Sequence, residues 1–260
     1  MKNLTKNSLN YGIEVEGAFK SDFAEELEEN WGELRGDGSV NFGGLDFDDY
    51  VESEEFVSKI LSYQELKKVL GLFNSKVFFS NSSCGLHLHI SVKQVPFVRL
   101  VSSVMDYEFI KKQQDIFSIE KKVGKFQANR LGSGNSYNSN NYCNKFHSIN
   151  DVIHRAKTGE KYSFVRVHSR WSTLEWRFFY PYRNGKKSLA NIQLFLDGLL
   201  KQLNKVSSDK KEFFCSDEPK QIDYSKNGRI SKGVFNSDYV FSDSKGQKYK
   251  KDFVLELLNN

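Results

Sequence analysis

The residues best equipped for chemistry fall in three short stretches, each with a polar group at every second position. Glu14 and Glu16 flank Val15; His87, His89 and Ser91 alternate with Leu88 and Ile90; Thr173, Glu175 and Arg177 alternate with Leu174 and Trp176. Side chains two apart share one face of a strand. Read as strands, the stretches each offer an apolar face: Ile13 and Val15, then Leu86, Leu88, Ile90 and Val92, then Leu174, Trp176 and Phe178. The opposite faces carry carboxylate, imidazole, hydroxyl and guanidinium. An ordinary solvated face carries Lys, Thr and Glu in no fixed arrangement, so the three together point to one shared site. Paired carboxylates with an imidazole suit magnesium or manganese. Zinc has less support, because no His-Glu-x-x-His helix or cysteine pair is present. Arginine on the same face suits phosphate, whose oxygens its planar fork matches. Carboxylates, a metal and an arginine together read as phosphoryl transfer, in which catalysis is mostly positioning and charge stabilisation.

The rest of the chain must position these faces. Tyr11 to Phe19 reads as a strand, and acidic Ser21 to Asn30 as a short helix or a flap. Gly36-Asp37-Gly38-Ser39 reads as a turn, with Asp37 open to a ligand role. Tyr50 to Leu61 mixes apolar and acidic residues and is expected to end in a helix start. Gln64 to Phe73 has helical spacing. Lys76 to Ser80 and Leu86 to Val92 read as strands around a Ser-Cys-Gly turn. Pro96 suits the first position of one long helix reaching about Ser118. Tyr162 to His168 and Thr173 to Tyr180 form a hairpin pattern, and Lys187 to Val206 an amphipathic helix. Leu131 to Asn144 is rich in Gly, Ser and Asn and poor in apolar residues. It reads as a loop, either a mobile active-site lid or a surface insertion. The polar end of the chain shows short strand-like pieces and a final helix around Asp252 to Leu258.

Composition bounds the class. The chain has 260 residues, 38% hydrophobic and 14% aromatic, enough apolar material for a core and unlike a disordered segment. A net charge of +5, spread along the chain, suits an anionic ligand such as a nucleotide and argues only weakly for nucleic acid. Three scattered cysteines do not make a disulfide framework and fit a reducing, cytoplasmic compartment. The first ten residues lack the apolar core of a signal peptide, and no stretch approaches the length of a membrane span.

Five motifs in order carry a family resemblance: Tyr-Gly-Ile-Glu-Val-Glu-Gly (Tyr11 to Gly17), Asp-Gly-Ser (Asp37 to Ser39), Glu-Phe-Val-Ser (Glu55 to Ser58), Cys-Gly-Leu-His-Leu-His-Ile-Ser (Cys84 to Ser91) and Leu-Glu-Trp-Arg-Phe-Phe (Leu174 to Phe179). Over residues 10 to 180 the chain resembles the amidoligase family. This is a compact branch of the glutamine synthetase and glutamate–cysteine ligase superfamily, common in phages and mobile elements. The resemblance implies an α+β fold: a curved antiparallel sheet of glutamine-synthetase-like type, helices on the convex face and the active site on the concave face. The expected organisation is a catalytic domain over residues 1–205 with 206–260 a polar C-terminal extension packed on the same domain; the resemblance does not reach residues 205 to 260. The implied function is an ATP- and magnesium-dependent carboxylate–amine ligase, with manganese as an alternative ion. ATP phosphorylates a small-molecule or peptide carboxylate, and an amine attacks the acyl phosphate. By this resemblance Glu14, Glu16, Glu55, His87 and Glu175 are metal ligands. His89, Ser91, Arg177 and Arg170 face ATP. Arg177, Arg130 and Glu16 belong to catalysis, with Arg130 near the substrate carboxylate or the γ-phosphate.

The chain departs from the pattern in places. Glutamine synthetase has Arg-x-Glu-x-Arg in the late strand, where Thr173 stands here; Arg166 or Arg170 could reach in from the preceding strand instead. Lys59 follows Val-Ser where proline is common, and Arg166 stands where asparagine is more usual. Glu52 and Glu54 are alternatives to Glu55 within one acidic run. Two other functions share these residues: a phosphotransferase of the same fold, and a binding or virion-associated protein without turnover. A cluster of buried charge has no physical reason to persist in a protein without turnover, which favours an enzyme.

Overall fold

Twelve residues from Leu9 to Lys20 form β1, the strand on which the main sheet is assembled. The computed structural model describes residues 3–40, 42, 49–81, 83–93, 97–119, 143–148, 151–152, 161–168, 172–208, 240–242 and 248–250. The candidate residues Arg130 and Arg170, the final helix expected near Asp252, and most of both the Leu131 to Asn144 loop and the C-terminal extension lie outside them.

Seven strands make an open, antiparallel sheet among the described residues. In chain order they are β1, β2 (Gly32–Gly36), β3 (Tyr50–Ser58), β4 (Phe78–Phe79), β5 (Leu86–Val92), β6 (Val165–His168) and β7 (Thr173–Phe179). Across the sheet the order is β2-β3-β1-β5-β7-β6, with β4 also paired to β1. The three chemistry-bearing stretches are therefore spatial neighbours although they lie far apart in the chain. β1 sits beside β5 with Glu14 opposite His87 and Gly12 opposite His89. β5 sits beside β7 with His89 opposite Glu175. On its other side β1 pairs β3, with Glu16 opposite Glu55.

Helices α1 (Ser21–Asn30), α2 (Tyr63–Leu72), α3 (Phe97–Val104), α4 (Tyr107–Ile119) and α5 (Gly185–Ser208) join the sheet. Along α5 the residues Ile192, Phe195, Leu196, Leu199 and Leu203 are buried, an apolar stripe at helical spacing that packs against the sheet and the neighbouring helices. The core is aromatic. Trp176 is buried with its ring centroid 4.6 Å from that of Phe195, and Phe164 stacks on Phe178 at 4.4 Å. Ile13, Val15, Leu88, Ile90 and Leu174 fill the same layer, as their alternation requires. Among the described residues no helix is long and apolar enough to cross a membrane. A separate two-stranded ladder, β8 (Val240–Ser242) with β9 (Lys248–Lys250), lies in the extension.

Several local expectations change. Tyr50 to Leu61 is strand as far as Ser58, then pairs Leu61 with Tyr11. The helix begins only at Tyr63, where Ser62 and Glu65 form a capping box: Ser62 Oγ accepts from Glu65 N–H and Glu65 Oε2 accepts from Ser62 N–H at 2.7 Å. The single long helix expected after Pro96 is two helices. Asp106 divides them, its Oδ1 accepting from the backbone of Glu108 at 2.9 Å and of Phe109 at 3.3 Å, the signature of a fresh N-terminus. The strand expected over Lys76 to Ser80 contracts to two residues beside β1. There a Cβ on Gly17 would stand 2.3 Å from the Phe78 ring, so only glycine allows this close approach. Strand β2 was not anticipated; its sequence, Gly-Glu-Leu-Arg-Gly, has a single large apolar residue.

Candidate functional site

Two polar strand faces from the middle of the sheet meet directly at Glu14. Its Oε2 lies 2.8 Å from His87 Nδ1 and its Oε1 3.0 Å from His89 Nε2. Glu175 joins from β7, with Oε1 at 3.6 Å from His87 Nδ1. Arg177, one turn of the pleat further, donates through Nη1 to Glu175 Oε1. Glu16 Oε1 lies 3.5 Å from His87 Nε2. Glu55, opposite Glu16 in the ladder, completes a set with Glu14 and His87 whose ligand atoms all lie within 4.8 Å of one another. Two further sets of the same reach are Glu14, His89 and Glu175, and Glu16, Asp37 and Glu55. All five residues read from sequence as metal ligands thus converge, and His89 and Arg177 stand with them.

Of the described side chains in the acidic run, Glu55 is the one that stands with the cluster. Glu54 points to the other side of β3, where burial and Glu28 of α1 raise its pKa. The Glu52 side chain lies outside the described residues. Asp37 shapes its turn and also stands beside the cluster. Its Oδ1 accepts from the Ser39 N–H at 2.8 Å, which shapes the turn, and its carboxylate stands within reach of Glu16 and Glu55. Ser91 lies further along β5, beside Asn10, whose Nδ2 is 3.5 Å from Ser91 Oγ. Arg166 does reach in from the preceding strand, with Nη1 3.6 Å from Glu175 Oε2.

Sequence reasoning missed His168. Its Nε2 lies 2.6 Å from Glu175 Oε2, and its ring centroid is 5.4 Å from that of His89. The signal was present: in β6, Val165 and Val167 alternate with Arg166 and His168, and the hairpin sets Arg166 opposite Glu175 and His168 opposite Thr173. Identifying His168 required the register as well as the strand.

These faces are polar but not solvated. Glu16, His87, His89, Glu175 and Arg177 are all buried, and burial of this much charge is tolerated only with dense pairing. The electrostatics follow. Burial pushes the Glu14 carboxyl up, but hydrogen bonds from His87 and His89 outweigh it and hold the group well below the usual carboxylate range. Glu175 is likewise opposed by burial yet held at about 2 by the His168 hydrogen bond and the charges of His87 and Arg177. Glu55 goes the other way: burial, then the negative charges of Glu14, Glu16 and Asp37, push it up to about 8. Near neutral pH without an ion, Glu55 therefore keeps a proton because there is too much negative charge around it. Among the described residues, the buried His87 Nε2 and Arg177 Nε make no hydrogen bond, although Glu16 Oε1 stands 3.5 Å from His87 Nε2. The buried Arg177 Nε–H can donate to an anion, and His87 Nε2, facing Glu16, can join the carboxylates in holding a cation.

The chain matches no protein-family model and no curated protein.

Proposed function

We propose that this protein is an ATP- and magnesium-dependent carboxylate–amine ligase of the glutamine-synthetase-like type, with its active site on the polar face of the sheet. The observation that supports it is the convergence of Glu14, Glu16, Glu55, His87 and Glu175 around Arg177, with the Arg177 Nε–H unspent. Within the sets Glu14, Glu55 and His87; Glu14, His89 and Glu175; and Glu16, Asp37 and Glu55, donor type and spacing fit divalent ions. When bound, the ion would neutralise phosphate charge and orient the transferring group. In this reading Arg177 would face phosphate oxygens, with its ion pair to Glu175 holding the guanidinium. In the reaction a substrate carboxylate oxygen attacks the γ-phosphorus of ATP and ADP departs. An amine then attacks the acyl carbon, phosphate departs, and the amine loses a proton to complete the amide.

The experiment is ADP release in magnesium across a panel of amino acids and peptides, with and without an added amine, with the amide product followed by mass. Amine-dependent ADP release with stoichiometric amide supports the ligase. ADP release that ignores amine and leaves a phosphorylated carboxylate or guanidino product would make the chain a phosphotransferase. No release with any substrate would make it a binding protein.

A further inference from the structure

Away from the carboxylate cluster, charge becomes one-sided at the corner where β4 meets the turn that leads into α5. Residues 66–105 and 176–196 contain no Asp or Glu. Three hydrogen bonds fasten these two stretches together: Gly185 N–H donates to Phe73 O at 3.0 Å, Ser80 Oγ to Pro181 O at 2.6 Å and Arg183 Nη2 to Ser80 O at 3.3 Å. Lys76, Arg183, Lys186 and Lys187 are exposed there. Among the described residues none of these four cations stands within ion-pair distance of a carboxylate. We propose that this corner is a docking surface for a segment of single-stranded nucleic acid. It goes beyond the ligase reading and uses none of the residues that carry it.

Aromatic rings are interleaved with the cations. The Arg183 guanidinium carbon lies 3.6 Å from the centroid of the Phe79 ring, and Lys187 Nζ 4.1 Å from that of Tyr182. Tyr180 meets Tyr182 edge-on, with centroids 5.1 Å apart. Phe79, Tyr180 and Tyr182 are half-buried, so each ring is anchored in the fold while part of it meets solvent. The turn that carries the tyrosines is held to α5, with Tyr182 N–H donating to Ser188 Oγ at 3.1 Å. The surface therefore offers a nucleic-acid strand both groups it needs: cations for phosphates and flat faces for unstacked bases. A cation seated over a ring can swing to a phosphate and give the ring to a base. An acidic peptide would use the cations alone, and a duplex keeps its base faces stacked inside, so the rings favour a single strand. The attraction rests on side chains and not on the helix end, because Asn184 Oδ1 already accepts from Lys186 N–H at 3.1 Å. Lys76 extends the cations along the connection between α2 and β4. The corner also borders the polar face: Phe79 lies opposite Ala18, two positions from Glu16, and Tyr180 comes three residues after Arg177.

The test is fluorescence anisotropy of the full chain with a labelled oligothymidylate of about 12 nucleotides, within the site size of single-strand binders. Its duplex with oligodeoxyadenylate and a polyglutamate of equal charge are run beside it. Expected is binding of the single strand that weakens as salt rises, with the duplex and polyglutamate weaker at every salt concentration. Arg183→Ala and Lys187→Ala should each lower the steepness of the log-affinity against log-salt line by roughly 0.7, the share of one phosphate contact on a single strand. Tyr182→Leu should weaken binding by roughly 5- to 150-fold, the loss of one stacked base, and leave that steepness unchanged. Arg183 and Lys187 are exposed, so their variants keep the proposal testable should Tyr182→Leu fail to fold. The proposal is overturned if the single strand does not bind, or if the duplex or polyglutamate binds as tightly. Binding left untouched by both Arg183→Ala and Lys187→Ala overturns it as well, because the strand is then held elsewhere.

Discussion

Glu14 bridges two histidines at once, Oε2 to His87 Nδ1 at 2.8 Å and Oε1 to His89 Nε2 at 3.0 Å, and so joins β1 to β5 through side chains as well as through the ladder. It belongs to two of the three candidate ion sets. Glu14→Gln keeps the shape and removes the charge. We expect divalent-ion affinity to fall by more than the roughly 10- to 100-fold typical of an outer-shell loss. Calorimetric titration with magnesium checks this, and retained circular dichroism excludes unfolding as the cause.

Glu16 and Arg177 separate turnover from folding differently. Glu16→Ala should abolish ATP turnover in a folded protein, because it removes a carboxylate from an over-charged cluster. Arg177→Ala would not separate the two, because Arg177 is buried and ion-paired with Glu175. Deleting one partner of a buried pair leaves an uncompensated charge, at a cost of roughly 3–5 kcal/mol. Arg177→Lys is the cleaner variant: a cation remains, the fork is lost, and ADP release should drop at least tenfold with a smaller fall in unfolding midpoint. Equal ADP release by wild type, Glu16→Ala and Arg177→Lys would remove both residues from the mechanism.

Glu55 makes the metal-free protein sensitive to alkali. Its folded pKa is raised from 4.5 to about 8, so the folded state binds more protons than the unfolded state between those values. The Glu55 contribution is therefore fully present below about pH 4.5 and is lost as pH rises through about 8. Glu175, held at about 2, acts in the opposite window: its stabilisation is present above 4.5 and is lost as pH falls toward 2. Urea midpoints measured with a chelator should decline from mildly acidic to mildly alkaline pH, and Glu55→Gln should flatten that decline. Magnesium should remove it as well, since an ion displaces the proton and its affinity should rise over the same range. A flat profile with chelator would show that Glu55 carries no such proton.

Trp176 tests the packing layer beneath the site. Fully buried and in contact distance of Phe195 and Phe164, it should lose roughly 3–5 kcal/mol of stability on Trp176→Ala, read from denaturant unfolding. Because Glu175 and Arg177 flank it on the same strand, ion binding should weaken only as far as the fold does.

Alternation of residue types within single strands was enough to place Glu14, Glu16, His87, His89, Glu175 and Arg177 on polar faces, and Trp176 and Leu88 on the packing face. That information is local: a strand has period two, and a sequence displays it directly. The antiparallel hairpin at Val165 to Phe179 and the amphipathic stripe of α5 were legible for the same reason. Tertiary structure alone decided what pairing sets. The ladder order β3-β1-β5-β7 brought Glu55, Glu14, His87 and Glu175 together, and the phase of β3 chose Glu55 over Glu54. Register across the β6–β7 hairpin delivered His168 to Glu175. The burial of the polar face likewise came from packing, and it is what drives Glu55 up while Glu14 and Glu175 are held down. Each of these depends on which residues lie opposite one another across strands distant in the chain, and a slip of one position would turn every such side chain to the other face.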